Sequence, residues 1–220
     1  MLIRDMMIPV EEVHLEGELD LVPGGAGLVL FAHGSGSSRH SPRNQLVAHV
    51  LRENGVGALL FDLLTPAEEE AEARTRHFRF DIGLLARRLI GATRWVLEQA
   101  AGREVRIGYF GSSTGAAAAL VGASQLGDKI GAVVSRGGRP DLAGEALGQV
   151  VAPTLLLVGG NDLPVILLNQ KAYERLRCEK ALRIIPGASH LFEESGTLET
   201  VASEAATWFK EHLNPQTRAA

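Results

Sequence analysis

One stretch constrains what this chain can fold into more than any other. It is Val105-Arg106-Ile107-Gly108-Tyr109-Phe110-Gly111-Ser112-Ser113-Thr114-Gly115, running on through Ala116 to Leu120. It reads as a buried strand, an abrupt turn and a helix of small residues. The turn holds Gly-x-Ser-x-Gly with Ser113 at its centre. A serine on a strained strand-to-helix turn needs very small neighbours two positions away on each side, and Gly111 and Gly115 supply them. Ser112 has Phe110 and Thr114 at the same spacing, which are too large, so Ser113 is the candidate nucleophile. The helix that follows would bring its amide N–H groups and positive dipole end to the hydroxyl.

The rest of the chain alternates strands with helices. Residues 5–22 alternate weakly, with a break at Gly17, and suggest a short antiparallel hairpin at a sheet edge. Gly27 to Ala32 is a continuous apolar run, as expected of a strand covered on both faces, and it ends in His33-Gly34-Ser35-Gly36. Ser41-Pro42 offers an N-cap and a first-turn proline for a helix to about Asn54. Residues 55–61 form a further strand, closed by Asp62. Residues 64–77, with Glu68, Glu69 and Glu70 in a row, read as a solvated loop or helix face. Residues 78–99 have helical spacing, with Leu84, Leu85, Leu89 and Val96 on the periodic positions. Strands are expected at 130–134, 153–158 and 181–185, and helices at 163–177 and 196–213. The connection from 134 to 153 leaves room for one helix and no lid domain. The expected fold is therefore α/β, a mostly parallel doubly wound sheet with an antiparallel N-terminal edge, in a single domain over 1–220.

Bulk properties exclude several classes. A net charge of −4 gives no basic footprint, so nucleic acid is not an expected partner. The single cysteine, Cys178, excludes an intrachain disulfide framework and a cysteine-based metal cluster. No metal or other cofactor is expected. No apolar run approaches the roughly 20 residues that cross a bilayer, and residues 1–10 show no secretory signal. A cytoplasmic protein, monomer or homodimer, that does not engage a membrane is the expectation.

In an open parallel sheet, ligands meet the loops at the carboxyl ends of the strands. His33-Gly34-Ser35, Asp62, Ser113, Arg136, Asp162 and His190 all fall at such ends. A serine hydroxyl needs a neighbouring imidazole to take its proton, and the imidazole needs a carboxylate to fix its tautomer and stabilise its charged form. His190 follows Ser113 in a strand-end loop, whereas His14, His49, His77 and His212 lie in the bodies of elements. Asp162 is the expected acid and Asp141 its rival. The tetrahedral intermediate needs two N–H donors: the Thr114 amide, and one from the His33–Gly36 turn, with Ser35 ahead of Gly36. Gly34-x-Gly36 also fits the start of a phosphate-cradling loop, but Arg39 replaces the third glycine of the dinucleotide fingerprint. Arg136, beside Gly137 and Gly138, and Arg39 are candidate contacts to an acidic group on the substrate.

Taken together, Phe31-Ala32-His33-Gly34, Gly111-Ser112-Ser113-Thr114-Gly115, Gly159-Gly160-Asn161-Asp162 and Gly187-Ala188-Ser189-His190 resemble a compact, lidless α/β-hydrolase of the dienelactone-hydrolase-like group. The resemblance spans nearly the whole chain and implies that fold and ester hydrolysis. Dienelactone hydrolases proper carry a cysteine nucleophile; this chain has Ser113 there. The expected activity is a serine hydrolase, of carboxylesterase type, that cleaves small carboxylic esters or lactones through an acyl-enzyme on Ser113, with Asp162 and His190. A thioesterase or acyltransferase would use the same residues. A non-catalytic ligand-binding module on the same fold is the third reading.

Overall fold

The computed structural model describes residues 3–34, 36–100 and 105–214. The strands are β1 (Ile3–Val10), β2 (Val13–Asp20), β3 (Leu28–Ala32), β4 (Gly57–Phe61), β5 (Ile107–Ser112), β6 (Ile130–Arg136), β7 (Thr154–Gly159) and β8 (Lys180–Ile185). The helices are α1 (Pro42–Glu53), α2 (Pro66–Thr75), α3 (Ile82–Gln99), α4 (Thr114–Leu126), α5 (Leu163–Arg175) and α6 (Thr197–Leu213). All eight strands form one sheet in the order β1-β2-β4-β3-β5-β6-β7-β8. β1 pairs antiparallel with β2 and β2 antiparallel with β4, while every pairing from β4 to β8 is parallel. This is the doubly wound sheet with an antiparallel edge that the alternation of elements predicts.

Strand side chains alternate between two cores because successive Cβ atoms point to opposite faces. Leu28, Leu30 and Ala32 of β3 join Leu85 and Leu89 of α3 and Leu120 of α4 in one core. Val29 and Phe31 join Val47 and Leu51 of α1 and Val201 and Phe209 of α6 in the other. A strand buried on both faces has no polar side to show, which is why β3 and β4 read as unbroken apolar runs.

Several expectations are corrected. Gly17 does not break the hairpin: it lies within β2 opposite Met6 and Phe61. A Cβ there would sit 3.0 Å from Ile8 Cδ1 and 3.1 Å from Phe61 Cβ, so close packing explains the glycine. Of the solvated loop or helix face expected over 64–77, the helix is present as α2, started by a capping box in which Thr65 and Glu68 satisfy each other's amides, but its Glu72 is buried rather than solvated. The helix expected from 78 begins at Ile82, with the Asp81 carboxylate accepting from the Leu84 amide; Phe78–Phe80 is a separate single turn. The connection from β6 to β7 is not an α-helix but a 3₁₀ segment over Pro140–Gln149, broken at Gly144, where φ is 56°.

Candidate active site

The site is organised by the β5–α4 turn. Ser113 has φ 50° and ψ −122°, a conformation that an L-residue holds only when its surroundings impose it. The surroundings here are the two glycines. A Cβ on Gly111 would lie 2.5 Å from Ala116 Cα, and one on Gly115 would lie 2.0 Å from the Ala32 carbonyl oxygen. The turn is also tied to β6, since the Ser113 amide donates to the Arg136 carbonyl (3.4 Å) and the Ser113 carbonyl accepts from the Arg139 amide (3.0 Å).

The β3 turn closes over this serine. A Cβ on Gly34 would come within 2.8 Å of Ser113 Cβ, and the Gly34 amide donates to Ser112 Oγ at 3.2 Å. Ser112 is thus a buried support for the turn rather than an exposed hydroxyl. His33 is buried, and its Nε2 accepts the Leu63 amide proton (3.1 Å), which leaves Nδ1 to donate to the Gly34 carbonyl (3.0 Å). The contact of His33 with Asp62 Oδ1 at 3.8 Å is therefore between two acceptors and is not an ion pair. Of the expected oxyanion donors, Thr114 is buried at the first position of α4. Ser35 lies outside the described residues.

Asp162 and His190 are brought together across β7 and β8. The Gly160 amide donates to the Ile185 carbonyl (2.8 Å), the Asn161 amide to Ala188 (2.9 Å), and Asn161 Nδ2 to Gly187 (2.8 Å). These bonds stitch the two strand-end loops, and Asp162 Oδ2 meets His190 Nδ1 at 2.6 Å. The histidine sits beside β6, where a Cβ on Gly137 would lie 3.1 Å from its carbonyl oxygen and 3.6 Å from Nδ1. Ser113, Arg136-Gly137 and the Asp162–His190 pair thus occupy neighbouring strand ends. Asp141, the rival acid, forms a two-point pair with Arg139 (2.9 and 2.8 Å). Cys178 lies at the other end of the sheet, before β8, within 3.7 Å of Thr154 Oγ1, and burial pushes its thiol up.

The two arginines singled out in the sequence fare differently. Arg39 bonds Asp62 and Glu16 through its guanidinium and Asp62 again through its amide (2.8 Å), which commits it to the β2–β4 side. It is not a free substrate contact, because two carboxylates already hold it. Arg136 follows Ala132 and Val134 by strand parity, so it leaves the sheet on the α1–α6 face. It is 8% exposed, and its Nε and Nη1 have no hydrogen-bond partner among the described residues. Burial, and then the positive charge of Arg43, pull its guanidinium down to about 10.

The sequence reading missed a cap on the opposite side of the turn. A narrow cleft, with a cavity volume of only about 10 Å³, is lined by His33, Gly34, Gly36 and Thr114 together with Leu64, Leu85, Glu69, Glu72 and Arg79. Glu72 is buried and accepts from the Phe78 amide (2.7 Å), the Arg79 amide (3.3 Å) and Arg79 Nε. Burial opposes its charge, but those donors outweigh burial and hold the carboxyl below its ordinary value. Glu69 has no such donors among the described residues, and burial pushes it up. The signal available in the sequence was Thr65-Pro66-x-Glu68, a helix start; nothing local marked which carboxylates face inward.

No model of a known protein family matches the chain. A crystal structure of a dienelactone hydrolase from Anabaena variabilis ATCC 29413 has a TM-score of 0.94 and 56% sequence identity, over 97% of this chain and 99% of that one. An esterase of Pyrococcus furiosus has a TM-score of 0.79 at 19% identity, over 97% of this chain and 92% of that one, and shares the fold. Two proteins of Mycobacterium tuberculosis, strains CDC 1551 / Oshkosh and ATCC 25618 / H37Rv, are 53% identical over 210 residues. They carry the name phosphoribosyl transferase. The chain spans about half the length of these curated relatives, 96% of itself but 46% of theirs.

Proposed function

Because this chain belongs to the dienelactone-hydrolase family of the α/β-hydrolase fold, we propose that it is a serine hydrolase of small carboxylic esters or lactones. The observation that carries the reading is the strained Ser113 turn, held by Gly111 and Gly115, beside the 2.6 Å Asp162–His190 bond. In this reading Ser113 Oγ adds to the carbonyl carbon while its proton passes to His190 Nε2. Asp162 holds the Nδ1–H tautomer and stabilises the imidazolium. The carbonyl electron pair moves to oxygen, facing the Thr114 amide and the amide assigned to Ser35. Collapse breaks the bond to the leaving alcohol, which takes the proton from His190. A water activated by His190 then hydrolyses the acyl-enzyme and restores Ser113. No cofactor enters these steps. A small-molecule ester is the partner, in a cytoplasmic monomer or homodimer. Among the described residues, no helix is long and apolar enough to cross a membrane.

The name phosphoribosyl transferase belongs to proteins of which this chain spans 46%. For the part represented by this chain, the strand-end serine, histidine and carboxylate favour hydrolysis. A thioesterase or acyltransferase would draw on the same residues, and comparing thioester with oxyester turnover, with alcohol acceptors present, separates them. The main test is a panel of p-nitrophenyl esters of graded acyl length. Ser113→Ala should lose turnover by a factor on the order of 10⁴–10⁶ with the fold retained. Retention of more than about a tenth of the wild-type rate would overturn the nucleophile assignment.

A further inference from the structure

Three elements meet on the α1–α6 face of the sheet next to Ser113. The end of β6 supplies Arg136, the first turn of α1 supplies Arg43, and the loop after β8 supplies the His190–Glu193 segment. Gly137 abuts His190 and Phe192, whose Cε2 would lie 3.3 Å from a Cβ there. Arg43 Nη1 donates to Glu193 Oε1 at 3.2 Å.

Arg136 is the anomaly in this junction. Arginine is almost never fully buried unless it is paired, and a buried charge without a partner is heavily penalised. Yet Arg136 is 8% exposed, and neither Nε nor Nη1 has a partner among the described residues. Among the described residues, the charged group that acts on it is another cation, Arg43. Arg43 also keeps its buried Nε without a partner, since Glu193 takes only its Nη1. The Ser41 hydroxyl does not cap α1, so the helix start adds its positive end to the same junction. Arg43 has Glu193 as its counter-ion, but Arg136 has none among the described residues, and an anion reaching the unused N–H groups of both guanidiniums would supply one.

We propose that this junction is a binding site for a phosphoryl group, held by Arg136 and Arg43. A carboxylate has two oxygens in one plane and matches a single guanidinium fork, whereas a phosphoryl group has three oxygens in three directions and can bridge two forks. Arg136 is also the residue whose carbonyl accepts the Ser113 amide, so the proposed site is built on the residue that supports the nucleophile's turn. Resting on the hydrolase reading above, this makes esters that carry a phosphate on the acid or alcohol part the substrate class. The site itself stands on geometry without that reading.

The experiment measures binding of inorganic phosphate to the Ser113→Ala protein by calorimetry and thermal unfolding, at constant ionic strength, against chloride and acetate. Phosphate should bind saturably and raise Tm by about 3–5 °C at ten times its Kd. Arg136→Met should weaken phosphate binding at least about tenfold, as expected for a lost charge-assisted contact, with an equal or higher Tm in phosphate-free buffer, because an unpaired buried charge is removed. Arg43→Gln should also weaken binding, and it carries the test if Arg136→Met does not fold. Phosphate no better than chloride, acetate as tight as phosphate, or affinity unchanged in both variants would each overturn the proposal. A second arm compares kcat/KM for a phosphorylated ester and its neutral counterpart on the active enzyme. A preference lost in Arg136→Met places the phosphoryl group on the substrate, and phosphate binding without that preference makes free phosphate the ligand. Phosphate binding with turnover of neither ester would sink the hydrolase reading and leave the anion site standing.

Discussion

Replacing Gly115 by alanine sets two known effects against each other. Alanine is the better helix former, by up to about 1 kcal/mol relative to glycine. Gly115 lies in the first turn of α4, so intrinsic propensity favours the change. The tertiary contacts oppose it. The added Cβ would meet the Ala32 carbonyl oxygen at 2.0 Å, the Ala32 carbonyl carbon at 2.6 Å and the His33 carbonyl oxygen at 2.6 Å. All three are backbone atoms at the end of a central strand, so no rotamer change relieves the overlap. Overpacking of this kind costs about 1–3 kcal/mol or more, and with rigid backbone on the far side the upper end applies. The net loss should be about 2 kcal/mol, or roughly 4–8 °C in Tm for a chain of this size. Turnover should fall as well, because the overlap pushes the His33–Gly36 turn away from Ser113. The contrast is Gly83→Ala in α3, where a Cβ would have as nearest neighbours only the side-chain tips Asp81 Oδ1 at 3.4 Å and Arg87 Nη1 at 3.6 Å. That change should be neutral or raise stability by up to about 1 kcal/mol. Urea unfolding and p-nitrophenyl ester turnover on both variants provide the readout. A Gly115→Ala protein as stable as wild type would refute the assignment of this glycine to close backbone approach.

Asp162→Asn should lower kcat by about 10⁴ by presenting the wrong tautomer of His190, while Asp141→Asn, which only unpairs Arg139, should stay within a few fold; the reverse order in steady-state kinetics would move the acid to the earlier loop. Ser112→Ala should cost about 1–2 kcal/mol in chemical denaturation, because it leaves the Gly34 amide without its acceptor. Glu72→Gln should destabilise the α2–α3 connection by about 2–3 kcal/mol. Its folded carboxyl lies below the ordinary value of 4.5, so the contribution is complete above about pH 4.5 and is lost as pH falls through the folded value. The gap in unfolding free energy between wild type and Glu72→Gln should therefore narrow below pH 4.5, and a gap independent of pH would contradict the role given to that carboxylate.

What could be read from the sequence alone was whatever depends on residues close together in the chain. The Gly111-x-Ser113-x-Gly115 turn was legible because its main requirement, the absence of side chains around the serine, is written within five positions. The central strands were legible because burial on both faces removes every polar residue from Leu28–Ala32 and Gly57–Phe61. The placing of Ser113, Asp162 and His190 in loops at strand ends was legible too, because each directly follows a run that reads as a strand or its turn. Tertiary structure alone decided which charges have partners. Glu72 and Arg79 form an inward clamp in a segment whose composition looks fully solvated, and α2 has no apolar stripe to betray it, since Glu72 is its one buried residue. Arg39 and Arg136 look alike in sequence, each a basic residue near a glycine-rich strand end. Asp62 and Glu16, each 23 positions from Arg39 along the chain, claim the first. Strand parity sends the second to the α1–α6 face, where no described residue bonds its Nε or Nη1 and its charged neighbour is Arg43, 93 positions earlier. Coulomb energy depends on distance in space and on burial, and neither is encoded in local sequence order.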